Sequence, residues 1–456
     1  MTNFVFSRRA MQARIIALAQ TLDNAQLRSL INRLNANDAT RLHAMWELVI
    51  LHGLCQVGDL KHEQVLPNGR CPDIDWKIKK QDCDILSIIA DITTISDDGL
   101  EAQNPIKFLR EEIFRLAIKL GLLPGNFWCD VRGKTIGSFH KSKMRLMMPE
   151  KHEISSFIKN ELEPWFYNIK KNRTIKSTFD RTEKDLNFKI IFDPTWENGG
   201  GSHTSYTVAT SKTINPLFSA LKGKVKQLNG APDDALRLII ACDGGCDLLR
   251  HGAGGKSHYT YNSREVAEDF LRQNSSIDFV LLTTTTELRQ SFGLPTNYQM
   301  SYELVCAPPA SRSQRVTLNS INSVTEALRV ALSNVPKPLR PAYHSASLLK
   351  QPGVGNDQLG GYSMQGHEIK ISSRGLIRLL AGEISVEEFN RAHRWNEPNS
   401  PNNPFAAHLK SRLMISKIDV TAGKDTDDDE ITFTLDKFDA ANTNFSMPNT
   451  DETNKT

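Results

Sequence analysis

No stretch of this sequence approaches the roughly 20 consecutive apolar residues needed to cross a bilayer, which excludes a multi-pass membrane class. Cysteine is sparse: seven residues, at 55, 71, 83, 129, 242, 246 and 306. An odd number scattered along a long chain is not a disulfide framework and fits reduced thiols in a cytoplasm. There is no internal repeat, which excludes a solenoid or propeller. Gly-x-Ser-x-Gly is also absent, so no serine nucleophile elbow is offered. What is present is ordinary and globular. Over 456 residues, 39% are hydrophobic and 24% charged, enough for roughly two to three domains and an ample core. Near the start, Ser7-Arg8-Arg9 and Ala17-Leu18-Ala19 have the outline of a twin-arginine signal and its cleavage site. Arg14 interrupts the apolar stretch between them, so an amphipathic helix carrying Ile15, Ile16 and Leu18 is expected instead.

The net charge of +4 averages two unlike parts. Residues 425–456 hold nine acids and two bases, so the preceding chain carries +11. A basic body with an acidic end makes a nucleic-acid partner credible, and Asp427–Glu430 could then mimic DNA against a basic groove.

Local patterns divide the chain. Residues 8–35 read as two short helices broken near Asp23–Asn24. Asn37 or Asp38 can cap a third, whose residues Leu42, Trp46, Val49, Ile50 and Leu54 lie along one face. Extended stretches follow at 59–66, 72–78 and 85–95, the last apolar and β-branched like a central strand. A helix at 106–120, a strand at 127–131, a helix near 151–170 and a strand at 187–192 come next. Gly199-Gly200-Gly201 reads as a flexible loop and 205–209 as a strand. Helix 215–228, strand 236–242, a Ser263-capped helix 264–273 and strand 277–284 complete a βαβ pattern, implying a parallel or mixed sheet. Beyond Pro308 the pattern weakens, with helices expected only at 373–381 and 385–394. The expected organisation is N-terminal helices over 1–37, an α/β core over 38–290 with an insertion at 100–205, a C-terminal region over 291–440 and a disordered tail over 441–456.

The most informative constellation lies in residues 43–93. Glu47 sits on the third helix, Pro72-Asp73 opens a strand, and Asp91-Ile92-Thr93 lies within the next. If those strands pair, Asp73 and Asp91 converge at one end of the sheet. Two carboxylates, a backbone carbonyl and a helical Glu suit Mg²⁺, a hard ion that takes oxygen ligands.

This order of elements and acids resembles the PD-(D/E)xK nuclease superfamily, whose restriction-endonuclease-like core runs α-β-β-β-α-β. The resemblance implies a mixed sheet flanked by helices, with large insertions and a C-terminal extension. It implies that Asp73 and Asp91 are metal ligands for Mg²⁺ (or Mn²⁺), that Ile92 lends its carbonyl, and that Glu47 contacts the site. The implied activity is that of an endonuclease on DNA in the cytoplasm, with room for a partner protein or a homo-oligomer, no membrane, and restriction or phage defence as its setting. The helix and strand after 85–95 are either 106–120 and 127–131 or, across an insertion, 215–228 and 236–242. The second option brings a helix with Lys222, Lys224, Lys226 and Gln227 and no acid, like the basic helix beside the site in many such nucleases. The chain departs from the family at Thr93, which stands where the lysine belongs. Lys224, Lys226 or Lys77 could supply that charge; otherwise the chain is a non-catalytic nucleic-acid-binding or regulatory subunit with a decayed core.

Other motifs carry less. Gly252–Ser257 lacks the first glycine of a phosphate loop, Arg250 standing in its place, so an NTP-binding enzyme using Lys256 is a weaker alternative. Cys242 and Cys246 with His251 and His258 have the wrong histidine spacing for the usual zinc sites. Asp243, at a strand's C-terminal end, is a weak site residue. Trp165, Phe166 and Tyr167 beside Lys170, Lys171 and Arg173 have the composition of a nucleic-acid backbone groove.

Overall fold

The computed structural model describes residues 5–36, 38–79, 84–138, 141–250, 260–288, 297–350, 362–393, 395, 403–423 and 428–437. The chain is mixed α/β and divides into two units, Arg14–Ser347 and a smaller one made of Met1–Ala13 with Leu348–Thr456. Among the described residues no helix is long and apolar enough to cross a membrane.

The larger unit is organised by a six-stranded sheet of β1 (Asp59–His62), β2 (Ile74–Lys79), β3 (Ile85–Ile95), β4 (Leu236–Asp243), β5 (Phe279–Leu288) and β6 (Asn297–Cys306), in that spatial order. β1, β2 and β3 are antiparallel neighbours, β3, β4 and β5 run parallel, and β6 closes the edge antiparallel to β5. Every residue of β4 is buried, as the central strand of a sheet covered on both faces must be.

The covering helices are specified locally. α1 (Asn24–Leu34) begins at Asp23, which forms a reciprocal capping box with Gln26. α2 (Ala39–Cys55) begins at Asp38, whose carboxylate accepts from the Thr40 N–H. α3 (Pro216–Leu228) combines an Asn215 cap with Pro216 in the first turn. α4 (Ser263–Gln273) starts at Asn262; Ser263, expected as the cap, is its first helical residue because the Asn262 amide pairs with Glu265. Leu217, Leu221 and Phe270 from α3 and α4 pack against Ile89, Ile239 and Val280 of the sheet. Full burial of each such leucine contributes about 1.5–3 kcal/mol. The other face meets α2, and α5 (Leu318–Ser333) packs on α2 so tightly that a Cβ at Gly53 would sit 2.5 Å from the Ala331 carbonyl oxygen.

Between β3 and α3 the chain builds a module with its own core. Its sheet orders Ser177–Thr182, Asn187–Phe192, Phe127–Val131 and Gly200–His203, and a hairpin joins Gly133–Ile136 to Lys143–Leu146. The strand beside β3 is therefore 236–243, reached through α3, while 127–131 belongs to the separate sheet. Gly200–His203 is a strand parallel to Phe127–Val131 rather than a flexible loop, and the 205–209 strand does not form. The glycines are there for close approach: a Cβ at Gly199 would lie 2.6 Å from the Phe127 carbonyl oxygen. The helix expected over 151–170 is interrupted by a wide turn at Ile158–Leu162 and restarts at Glu163–Lys171, where Pro164 removes a backbone donor. Phe166 is buried and stacks on Phe127, Trp165 bonds Ser177 through its N–H, and only Tyr167 faces solvent. Most of the aromatic run is core rather than a groove.

β6 and α5 were not foreseen, and they place 297–347 with the sheet, where a separate region from 291 was expected. The smaller unit holds an antiparallel sheet ordered Tyr362–Gln365, Glu368–Ser372, Glu430–Lys437 and Leu413–Thr421, closed over Ile369, Phe389, Trp395 and Phe433. Its acids are structural. Asp428 accepts from the Ser372 hydroxyl and the Arg374 N–H, Asp429 from Arg9 at 2.8 Å, and Glu430 pairs with Lys370 at 3.3 Å. These bonds hold the described part of the acidic segment within the smaller unit. Asp425, Asp427 and 441–456 lie outside the described residues.

Candidate active site

Ile74 pairs with Ala90, so Asp73 sits opposite Asp91 where β2 enters the sheet. The Asp73 Oδ2 accepts the Ile92 N–H at 2.7 Å, which turns the carboxylate toward β3. Across the strand pair it faces Asp91, whose carboxyl feels its charge. Asp91 is fully buried. Its Oδ1 accepts from Lys224 Nζ at 2.7 Å, and its Oδ2 has no hydrogen-bond partner. Burial, and then the Asp73 charge, push the Asp91 carboxyl up to about 8 against the pull of Lys224.

Side-chain alternation explains how three elements meet here. Asp91 and Thr93 face α3, whereas Thr94 faces α2 and bonds His43 Nδ1 at 2.6 Å. Lys224, at the middle of α3 and 22% exposed, reaches the sheet at Asp91. Lys226 and Lys222 are exposed on the same helix, Gln227 is half-buried, and none of the three has a recorded bond to Asp91. Lys77 is exposed four residues along β2, opposite Ser87, away from the carboxylates. For Ile92, the recorded contact is through its N–H rather than its carbonyl.

Glu47 is nearby but committed elsewhere. Only 4% exposed, it takes a two-pronged bond from Arg33 at 2.5 and 2.7 Å and lies 3.5 Å from His62 Nε2. His62 in turn bonds the Asp73 carbonyl through Nδ1 at 2.7 Å. The chain Arg33–Glu47–His62–Asp73 ties α1, α2 and β1 to the turn that presents Asp73. Arg33, His43, His62 and Thr94 were missed from sequence. A usable signal existed for one, since His43 lies four residues before Glu47 and shares its helix face. Burial lowers His43, which favours its neutral form.

Removing Arg33 strands a buried carboxylate. Arg33→Ala is expected to destabilise the protein by about 2–3 kcal/mol, below the ~3–5 kcal/mol of a fully buried pair because the guanidinium keeps partial solvent contact. Arg33→Ala/Glu47→Gln should recover most of that loss in urea denaturation, and a double variant as unstable as the single one would contradict the pairing.

A second acidic group lies at the C-terminal ends of β3 and β4. Asp97 accepts from the Asp247 N–H at 2.9 Å, and Asp243 caps the Gly244–Cys246 turn while accepting from Thr284 at 2.7 Å. Asp243 thus serves the turn. Cys242 and Cys246 are buried, and burial pushes both thiols up. Their histidine partners 251 and 258, with Lys256, lie outside the described residues. Burial raises Asp97 to about 6. Its folded value exceeds the unfolded one near 3.8, so its contribution is full below about pH 4 and is lost as pH rises through 6. Asp97→Asn should therefore gain on the parent protein by about 3 kcal/mol between pH 4 and 7.5. Parallel stability curves for the two proteins would contradict this.

Lys170, Lys171 and Arg173 follow one another at the end of the Glu163–Lys171 helix, in the inserted module. Among the described residues no group of three histidines, cysteines or carboxylates is placed to hold a metal ion by itself. No protein-family model, curated protein or solved structure matches this chain.

Proposed function

We propose that this protein is a metal-dependent nuclease that hydrolyses phosphodiester bonds of DNA on a restriction-endonuclease-like core, with Asp73, Asp91 and Lys224 at its centre. The observation that carries the proposal is two carboxylates standing opposite each other on neighbouring strands, with a lysine delivered from α3 onto one of them. That lysine answers the departure at Thr93: a cation stands beside Asp91 although the strand position itself holds a hydroxyl. The order α2, three antiparallel strands, α3 and a parallel β4 supports the same reading.

Asp91 is buried beside the half-buried Asp73, and a buried carboxylate next to a second one ionises only with a compensating cation, a role Lys224 fills in part. The unpartnered Asp91 Oδ2 is a hard oxygen donor and Asp73 stands opposite on the neighbouring strand, so the residues present fit Mg²⁺ or Mn²⁺. Asp73 and Asp91 would hold the ion, with water completing its shell because the protein contributes few ligands. When bound, such an ion lowers the pKa of water and offsets charge on a phosphate. The chain's own groups do the rest. The Ile92 N–H fixes one Asp73 oxygen, leaving the other for the site. Lys224 donates to Asp91 Oδ1 and brings to the site a cation that would offset charge on a phosphate. Arg33, Glu47 and His62 hold the Asp73 turn, so Glu47 acts as a positioning residue.

Calorimetric titration with Mn²⁺ tests the site. Binding that Asp73→Asn and Asp91→Asn each abolish is expected; binding unchanged in both variants would reject the assignment.

A further inference from the structure

A cavity of about 670 Å³ opens on the inserted module, lined by Trp128, Asp130, Ile191, Thr195, Trp196 and Glu197. Trp128 and Asp130 alternate along one strand and so share a face. The Trp128 indole N–H donates to Asp130 Oδ1 at 2.8 Å, and the Ser202 N–H and hydroxyl donate to the same oxygen. Burial works to raise Asp130, but those three donors outweigh it and hold the carboxylate ionised. Gly200, opposite Trp128 on the neighbouring strand, gives the ring a bare bed: a Cβ there would meet it at 3.1 Å. Gly125 does the same for the far wall, since a Cβ would overlap the Glu197 carbonyl oxygen at 2.2 Å. Two indoles are thus held half-exposed around a fixed carboxylate, unlike Trp165, which is bonded into the module's core.

The bound group must be flat to use the indoles and must donate hydrogen bonds to use the carboxylates. Cytosine, adenine and guanine carry an exocyclic amine that offers a carboxylate N–H donors at the ring edge, whereas an unpaired thymine offers only its ring N3–H between two carbonyls that a carboxylate repels. Stacking a base on an aromatic ring contributes about 1–3 kcal/mol. A cationic alkylammonium would also suit aromatics and carboxylates, but the surroundings disfavour it. Lys176 already lies over the Trp196 ring at 5.4 Å, paired with Asp193 at 3.1 Å. Lys176 is thus a cation already at the cavity's Trp196 wall, which can meet a phosphate and repels a second cation.

We propose that this cavity binds an unpaired, amino-bearing nucleobase of the strand on which the nuclease acts. The inference rests on the nucleic-acid reading of the protein. It makes Trp128, Trp196 and Asp130 base-selecting residues, remote from the carboxylates in sequence and acting without them.

The test uses the full chain carrying Asp91→Asn, in EDTA, so that no strand is cut. Labelled single-stranded oligo-dC, oligo-dA and oligo-dT are titrated by fluorescence anisotropy, with intrinsic tryptophan quenching read in parallel. Oligo-dC and oligo-dA should bind at least tenfold tighter than oligo-dT. Trp128→Ala and Trp196→Ala should weaken them tenfold, and Asp130→Asn, which keeps the shape of the site, should erase the base preference. Equal affinity for all three oligomers, or a preference that survives Asp130→Asn, would overturn the proposal, as would quenching by tetramethylammonium in place of DNA. Because metal and cleavage play no part, failure here leaves the nuclease reading standing. Conversely, base-selective binding by a protein that never cleaves would reject only the latter.

Discussion

Asp91→Asn is expected to lower Mg²⁺-dependent DNA cleavage by ~10³-fold or more, comparable to removing a principal electrostatic element of an active site. The side chain keeps its size, and an amide oxygen can still accept from Lys224, so circular dichroism and the urea midpoint should show a folded protein. What disappears is a buried, unpartnered carboxylate oxygen able to take up negative charge when a metal ion binds. If Asp91 were only a strand-end acid serving the Lys224 ion pair, the variant would cut as well as the parent. Single-turnover cleavage of a linear duplex separates the two outcomes.

The second large effect concerns the relocated cation. Lys224→Gln should reduce single-turnover cleavage by roughly 10²–10³-fold, since its ammonium is the cation recorded on Asp91. Thr93 faces the same side of β3 as Asp91 and is 8% exposed. Thr93→Lys would place an ammonium beside the same carboxylate from a different element, so Lys224→Gln/Thr93→Lys should recover at least tenfold of the loss. Thr93→Lys alone crowds two cations and should not exceed the parent. A double variant no more active than Lys224→Gln, though folded, would show that Lys224 contributes something other than charge at that point.

Local chemistry made much of this legible. Asp38, Asn215 and Pro216 announce their helices by capping, and the apolar β-branched run at 85–95 reads as a central strand because both of its faces are covered. Asp73, Asp91 and Lys224 could be named because short spacings and an acid-free basic helix carry them. The supporting shell could not. Arg33 meets Glu47 and His62 meets Asp73 only after α1, α2 and β1 pack, and nothing local marks those encounters. β6 escaped because an edge strand is half-exposed on both faces and shows no clean alternation. α5 escaped because its capping box closes with Ser320 rather than a Glu or Gln. The triple glycine misled for a physical reason: glycine marks close backbone approach as readily as flexibility.

The most direct measurement is cleavage itself. Supercoiled and linear DNA are incubated with the unmodified protein in Mg²⁺, in Mn²⁺ and in EDTA, with Asp73→Ala and Asp91→Ala alongside. The account predicts strand breaks in either metal, none in EDTA and none with either variant. No cleavage in any divalent metal, or cleavage that persists in both variants, would contradict it.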